Sequence, residues 1–324
     1  MTFDISTTTQ LASYAGAGLC IGLGAIGAAL GEGYTAGLAN QSLSQKPGLS
    51  GPILKNMLVG QAIAESAAIF ALVIAILLLF LDVTATNLLK PAALMAAGLS
   101  MGFGAIGSGV GSGFPGGQAC LGMARQPAVT NRLTTNMLIG SAVCQTPAIF
   151  AMVVALMLMF MDFGGLPVSP TWAAFLGAGI STGLAAIGSG AGGGLAAGAS
   201  CQGIARNPDT FGQVTTTMLV GQAVSQTPSI FGLLVSFILM FKAFPETSSL
   251  APAMALLGAG ISMGFGGIGP GIGNGLAAEG AVRWVARNIE AAGALTRTML
   301  VAQAVSQSTA IYAMVVSLVL IFVI

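Results

Sequence analysis

The sequence is poor in charge. Only 6% of its 324 residues are Asp, Glu, Lys or Arg, whereas 55% are hydrophobic. A soluble surface needs polar groups facing water, so this composition excludes a soluble globular domain. Net charge is +1, which gives no ground for nucleic-acid binding. Histidine is absent, and Cys20, Cys120, Cys144 and Cys201 lie inside apolar segments without metal-ligand spacing, as small packing residues do. Met1 to Gln10 has no basic residue ahead of its apolar run and carries Asp4 instead, so no cleaved secretory segment is expected. Strand-like alternation is also missing. With no barrel to close, helices are left as the way to satisfy backbone groups in hydrocarbon.

Long apolar runs are present throughout, and mean hydropathy is +0.91. The clearest, Ala62 to Leu81, Ala142 to Met161, Ala223 to Phe241 and Ala304 to Ile324, each approach the ~20 residues that cross a bilayer. Self-comparison gives a period of 80 or 81 residues. Met57-Leu58-Val59-Gly60-Gln61-Ala62 returns as Met137 to Ala142, Met218 to Ala223 and Met299 to Ala304. Each copy pairs a glycine-rich apolar helix with a bulkier one through a short polar turn: Gln45-Lys46-Pro47, Arg125-Gln126-Pro127, Arg206-Asn207-Pro208 and Arg287-Asn288-Ile289. Proline there stops the helix. The expected fold is an all-α membrane protein of eight transmembrane helices. They form four tandem hairpins, residues 1–84, 85–165, 166–246 and 247–324, with unbroken helices. Eight of the ten basic residues (Lys46, Lys55, Arg125, Arg132, Arg206, Arg283, Arg287, Arg297) sit at the hairpin turns, and Lys90 and Lys242 in the links. The positive-inside rule then predicts cytoplasmic turns and both termini outside, in a bacterial inner membrane.

Glycine recurs at every second position in the first helices: Gly107 to Gly113, Gly188 to Gly194 and Gly269 to Gly275, with Gly27, Ala29, Gly31 and Gly33 in copy one. Each would cost up to about 1 kcal/mol against Ala in water, but in a membrane small residues let helices approach closely. Spacing of two spreads that surface around the helix, which suits packing on both sides, as in the inner wall of a closed ring. Ordinary small-residue packing in a bundle is the plainer alternative. No strand precedes these runs, so a nucleotide loop is excluded.

Of nine acidic residues, only Glu32 and Glu65 lie deep within helices. Their midpoint falls in the first turn, which puts them at one depth, about 18 Å from the cytoplasmic helix ends for roughly 12 residues per arm. An intramembrane carboxylate is costly until neutralised and marks an ion pathway; a proton or a metal cation would serve. Glu32 has a second reading, as a protonated acid bonding its neighbour. The other copies carry Gln145, Gln226 and Gln307 in place of Glu65, and Ser112, Gly193 and Asn274 in place of Glu32. Gln cannot titrate, so one hairpin in four can hold a charge-coupled ion and three read as silenced spacers.

Gly31-Glu32-Gly33-Tyr34, Gly60-Gln61-Ala62-Ile63-Ala64-Glu65-Ser66, the run Gly266 to Gly275 and the Arg-Gln/Asn-Pro turns resemble the c-subunit, the proteolipid of F-type rotary ATPases. The resemblance spans the chain, though the usual member is a single hairpin. It implies a rotor ring of identical chains in membrane lipid that carries Na⁺ or H⁺ past the a-subunit of the stator, whose arginine triggers ion exchange. The Arg125, Arg206 and Arg287 turns would meet the central stalk. It implies no catalysis and no cofactor in this chain. In sodium-binding members a helix-one Gln or Glu joins the helix-two Glu, and the adjacent hairpin adds a carbonyl, a hydroxyl and a bracing Tyr. Glu32 and Glu65 match the first pair and Ser66 the hydroxyl position within copy one. The Glu-Ser-Thr-x-x-Tyr pattern survives only as Gln307-Ser308-Thr309-Ala310-Ile311-Tyr312, with Phe70, Phe150 and Phe231 elsewhere. The site is therefore expected between hairpin one of one chain and hairpin four of the next, with Val305, Ser308 and Tyr312 facing the two acids. Glu32, Glu65 and Ser308 would ligate Na⁺. Tyr312 as a mere interface aromatic is the alternative. One site per four hairpins cuts the ions per turn to about a quarter. At about 2.3 kcal/mol per charge per 100 mV this favours an ATP-driven pump over a synthase. A V-type proteolipid, a non-transporting ring scaffold with permanently protonated acids, and a repeat-built secondary transporter are the other readings.

Overall fold

A computed structural model describes residues 4–80 and 87–323. Residues 1–3, Leu81, Asp82, the expected boundary at 84 and 85, and Ile324 lie outside the described residues. Eight segments among the described residues are long and apolar enough to cross a membrane. The first helices of the four hairpins are α1 (Ile5–Gln45), α3 (Leu89–Arg125), α6 (Val168–Arg206) and α9 (Leu250–Val285). They stand side by side in chain order, α1 on α3, α3 on α6 and α6 on α9. Each second helix packs on its own first helix and also, except in the last hairpin, on the first helix of the next.

The second helix is continuous in hairpins one and four, as α2 (Ser50–Phe80) and α10 (Ala292–Phe322). In hairpins two and three the expectation of unbroken helices is corrected. There it divides into α4 (Thr130–Cys144) and α5 (Thr146–Phe160), and into α7 (Phe211–Ser225) and α8 (Thr227–Phe241). The breaks fall at Gln145 and Gln226, two residues ahead of Pro147 and Pro228. A proline has no N–H for the carbonyl four residues back, so Val143 and Val224 lose their helical donors. Such a break survives at membrane depth where another group satisfies the freed carbonyl.

The hairpins turn through single 3₁₀ turns, Pro47–Leu49, Pro127–Val129, Pro208–Thr210 and Ile289–Ala291. The last lacks proline, and Asn288 caps it instead by accepting from the Ala291 amide at 3.3 Å. Arg125, Arg206 and Arg287 are exposed beside these turns.

The alternate glycines serve two neighbours at once. A Cβ on Gly107 or Gly111 would run into the backbone of hairpin three, at Ile187 and Gly190. A Cβ on Gly109 would stand 2.5 Å from the Gly27 carbonyl carbon and 2.6 Å from the Ala28 nitrogen of hairpin one. Gly188 and Gly192 against hairpin four, and Gly190 and Gly194 against hairpin two, repeat the arrangement. Spacing of two thus puts glycine on opposite flanks of one helix. The first helices touch backbone to backbone.

Candidate functional site

Three contacts between successive hairpins within the chain share one polar pattern at the depth of the acids. Gln145 Nε2 donates to the Ile63 carbonyl of hairpin one at 2.9 Å and to Ser112 Oγ of its own first helix at 2.7 Å. Gln226 Nε2 donates to the Val143 carbonyl of hairpin two at 2.7 Å. In hairpin four the roles shift by one residue. Asn274 Nδ2 donates to Gln307 Oε1 at 2.7 Å and reaches the Val224 carbonyl of hairpin three at 3.4 Å. Two of these acceptors, Val143 and Val224, are the carbonyls that Pro147 and Pro228 leave without a helical donor. The breaks and the amides therefore form one device: proline frees an oxygen, and the next hairpin's amide takes it. A neutral amide needs no counter-charge in hydrocarbon, and its N–H donors reach carbonyl or side-chain oxygens without a cation, although Gln145 Oε1 and Asn274 Oδ1 are buried without a partner.

A second row lies one turn closer to the hairpin turns. Gln222 Nε2 bridges the Gly193 carbonyl (3.1 Å) and the Gly140 carbonyl of hairpin two (2.9 Å). Gln303 Nε2 likewise bridges the Asn274 carbonyl (2.9 Å) and the Gly221 carbonyl of hairpin three (3.0 Å). Ser141 reaches only the Ser112 carbonyl, at 3.2 Å, and Gln61 only the Glu32 carbonyl, at 3.3 Å. Sequence reasoning missed this row. Its signal is the fifth residue of the repeating Met-Leu-x-x-x-Ala string, Gln in three copies and Ser141 in the second, always 29 residues after the position of Glu32.

The predicted site residues fall on the two open edges of the chain. Glu32 is half-buried and Glu65 exposed on the edge of hairpin one that has no preceding hairpin. Their equivalents meet directly in hairpins two and four, as Ser112 with Gln145 and Asn274 with Gln307. Val305 (69% exposed) and Tyr312 (65%) lie on the far edge, on α10. There Ser308 Oγ donates to the Val305 carbonyl at 2.7 Å. Ser66 makes the same bond to Ile63, at 2.6 Å, and so stands beside the carbonyl that Gln145 takes. One chain therefore does not bring the two acids together with Val305, Ser308 and Tyr312.

Comparison with known proteins gives one family. The family model of the ATP synthase C-subunit matches the chain four times, over residues 15–78, 95–158, 176–239 and 257–320. The chain is similar to the K-subunit of the A-type ATP synthase of Methanocaldococcus jannaschii, 32% identical over 198 residues, which is 61% of this chain and 83% of that protein. It is 51% identical over 68 residues to the ATP synthase c-subunit of Petrotoga mobilis, covering 21% of this chain and 71% of that protein. To the c-subunit of Dehalococcoides mccartyi it is 48% identical over 73 residues, 22% of this chain and 96% of that protein.

Proposed function

Because the chain belongs to the ATP synthase c-subunit family, we propose that its ion site closes between two chains, with Glu32 and Glu65 of one facing Val305, Ser308 and Tyr312 of the next. The protein is an integral membrane proteolipid of a rotary ATPase, and it translocates ions as part of a ring.

The observation that supports the two-chain site is the direction of the amide contacts. Gln145, Gln226 and Asn274 each reach back to the carbonyl of the preceding hairpin at the position of Val305. Continuing that order around a ring sets Glu65 against Val305 of the preceding chain. Where three contacts hold a neutral amide, this one holds two carboxylates, an oxygen set of carbonyl and hydroxyl, and no N–H donor. Carboxylate pairs at membrane depth need a cation. All-oxygen ligands suit Na⁺ or a proton, and the Ser308 hydroxyl favours Na⁺.

In this reading the loaded site rides through lipid, and the a-subunit of the stator exchanges the ion. Turns at Arg125, Arg206 and Arg287 meet the central stalk on the cytoplasmic side, with the termini outside a bacterial inner membrane. One ion per four hairpins makes ATP-driven pumping the expected direction. The length of the match to an A-type K-subunit favours a second reading, a proteolipid of an A- or V-type enzyme.

Carbodiimide labelling of the detergent-solubilised ring tests the site. One adduct per chain, on Glu65, blocked by Na⁺ and not by K⁺, is expected. An unreactive Glu65, or protection by K⁺ as strong as by Na⁺, refutes it, whereas a reactive Glu65 protected by neither cation marks a proton site.

A further inference from the structure

We infer that the contact between neighbouring chains is held about 1 Å wider than the three contacts within a chain, by the methyl groups of Ala29, Ala36 and Ala302, and that the ion enters and leaves there. The inference rests on the ring and the two-chain site proposed above.

Within the chain the flank turned towards the preceding hairpin carries Gly109, Gly190 and Gly271. A Cβ at Gly109 or at Gly190 would stand 2.5 Å from a glycine carbonyl carbon of that hairpin, Gly27 and Gly107 respectively. At Gly271 the carbon of Gly188 is equally in the way. Hairpin one has Ala29 at this position, exposed on the open edge. The residue it would meet in the preceding chain is Gly269, beside which there is nothing within 4 Å. Were the closing contact a copy of the internal ones, the Ala29 methyl would sit 2.5 Å from that backbone, as a Cβ at Gly109 does. Non-bonded carbons rest near 3.5 Å, so the helices must part by about 1 Å.

The second helices give the same answer independently. Gly60 packs on Gly116, where a Cβ would meet the Gly116 Cα at 3.1 Å. A Cβ on Gly140 would stand 2.6 Å from the Ala197 Cβ, and Gly221 is similarly tight against Ala278. The closing contact instead sets Ala302 against Ala36, with a methyl on each side. Internal contacts hold at most one.

The widening is local to the acids. Ala29 lies one turn from Glu32 on the side of the termini, and Ala36 one turn away on the side of the turns. Between them Gly33 has nothing within 4 Å and adds no side chain to fill the space. Further out, Gly18 and Gly258 pair glycine with glycine, as Gly98 with Gly16 and Gly260 with Gly177 do inside the chain. A slot beside Glu32, bounded by methyls and closed at its outer end, follows. The internal contacts have no such room, because their backbones touch and their amides are bonded across.

Two measurements on the full-chain ring decide it. Electron cryo-microscopy should show the α9-to-α1 spacing between chains, at the level of Ala29, about 1 Å larger than α1-to-α3, α3-to-α6 and α6-to-α9. Equal spacings overturn the inference, whether or not any variant assembles. An Ala29→Gly/Ala302→Gly ring with an unchanged number of chains should react with carbodiimide at Glu65 about threefold more slowly or less. An unchanged rate also overturns it. A wild-type ring in which Glu65 never reacts would instead remove the two-chain ion site.

Discussion

Replacing Gln145 by Glu would put an acid back into hairpin two, and the structure sets what that should do. Gln145 is 7% exposed. Its Nε2 makes the bonds to Ile63 and Ser112, while its Oε1 has no partner. An ionised carboxylate in its place loses both donations and points a charge at the Ile63 carbonyl. Two lost bonds at about 1 kcal/mol each, with at least as much again for an unpaired buried charge, give roughly 4 kcal/mol or more. The same carboxyl when protonated keeps one donor and loses about 1 kcal/mol. A cation present at 100 times its dissociation constant returns about 2.7 kcal/mol, enough to offset most of the loss. The Gln145→Glu ring should therefore dissociate at lower temperature than wild type in alkaline buffer without Na⁺, and recover when the carried cation is added. Intact mass after carbodiimide treatment should show two adducts per chain in place of one. Wild-type dissociation temperature without cation, together with a single adduct, would mean that the amide does not stand in an ion position.

Glu65→Gln should abolish ion transport while the ring keeps its mass, since the new amide can donate to Val305 as Gln145 does to Ile63; transport in proteoliposomes checks this. Gly109→Ala should prevent stable assembly, because its methyl would lie 2.5 Å from backbone of hairpin one; ring yield in detergent reads the loss. Pro147→Ala should restore a helical donor to Val143 and weaken its hold on Gln226 by about 1 kcal/mol, which lowers ring dissociation temperature without altering labelling at Glu65.

Much of this architecture is legible in the residues. The 80- or 81-residue period, the apolar run lengths and the polar turns suffice for eight helices in four hairpins. The alternate glycines announce packing on two flanks, and Glu32 and Glu65 are the only acids at mid-depth. The breaks at Gln145 and Gln226 are harder to see, although Pro147 and Pro228 stand in plain view. Local sequence says that a carbonyl is freed; only the fold shows that the next hairpin supplies its donor, 83 residues on for Val143 and 50 residues on for Val224. The Gln222 and Gln303 bridges are hidden for the same reason. Each joins two backbone carbonyls, and backbone leaves no mark on residue identity.

The side-by-side order of α1, α3, α6 and α9 also governs rhythm. Separate carrier and spacer hairpins could enter a ring in any sequence, leaving some carriers adjacent and others far apart. A covalent array admits only one order, so with the proposed site every fourth place would be a carrier and the angular interval between loaded positions uniform. On that reading the polypeptide itself would count out the motor's strokes at even intervals.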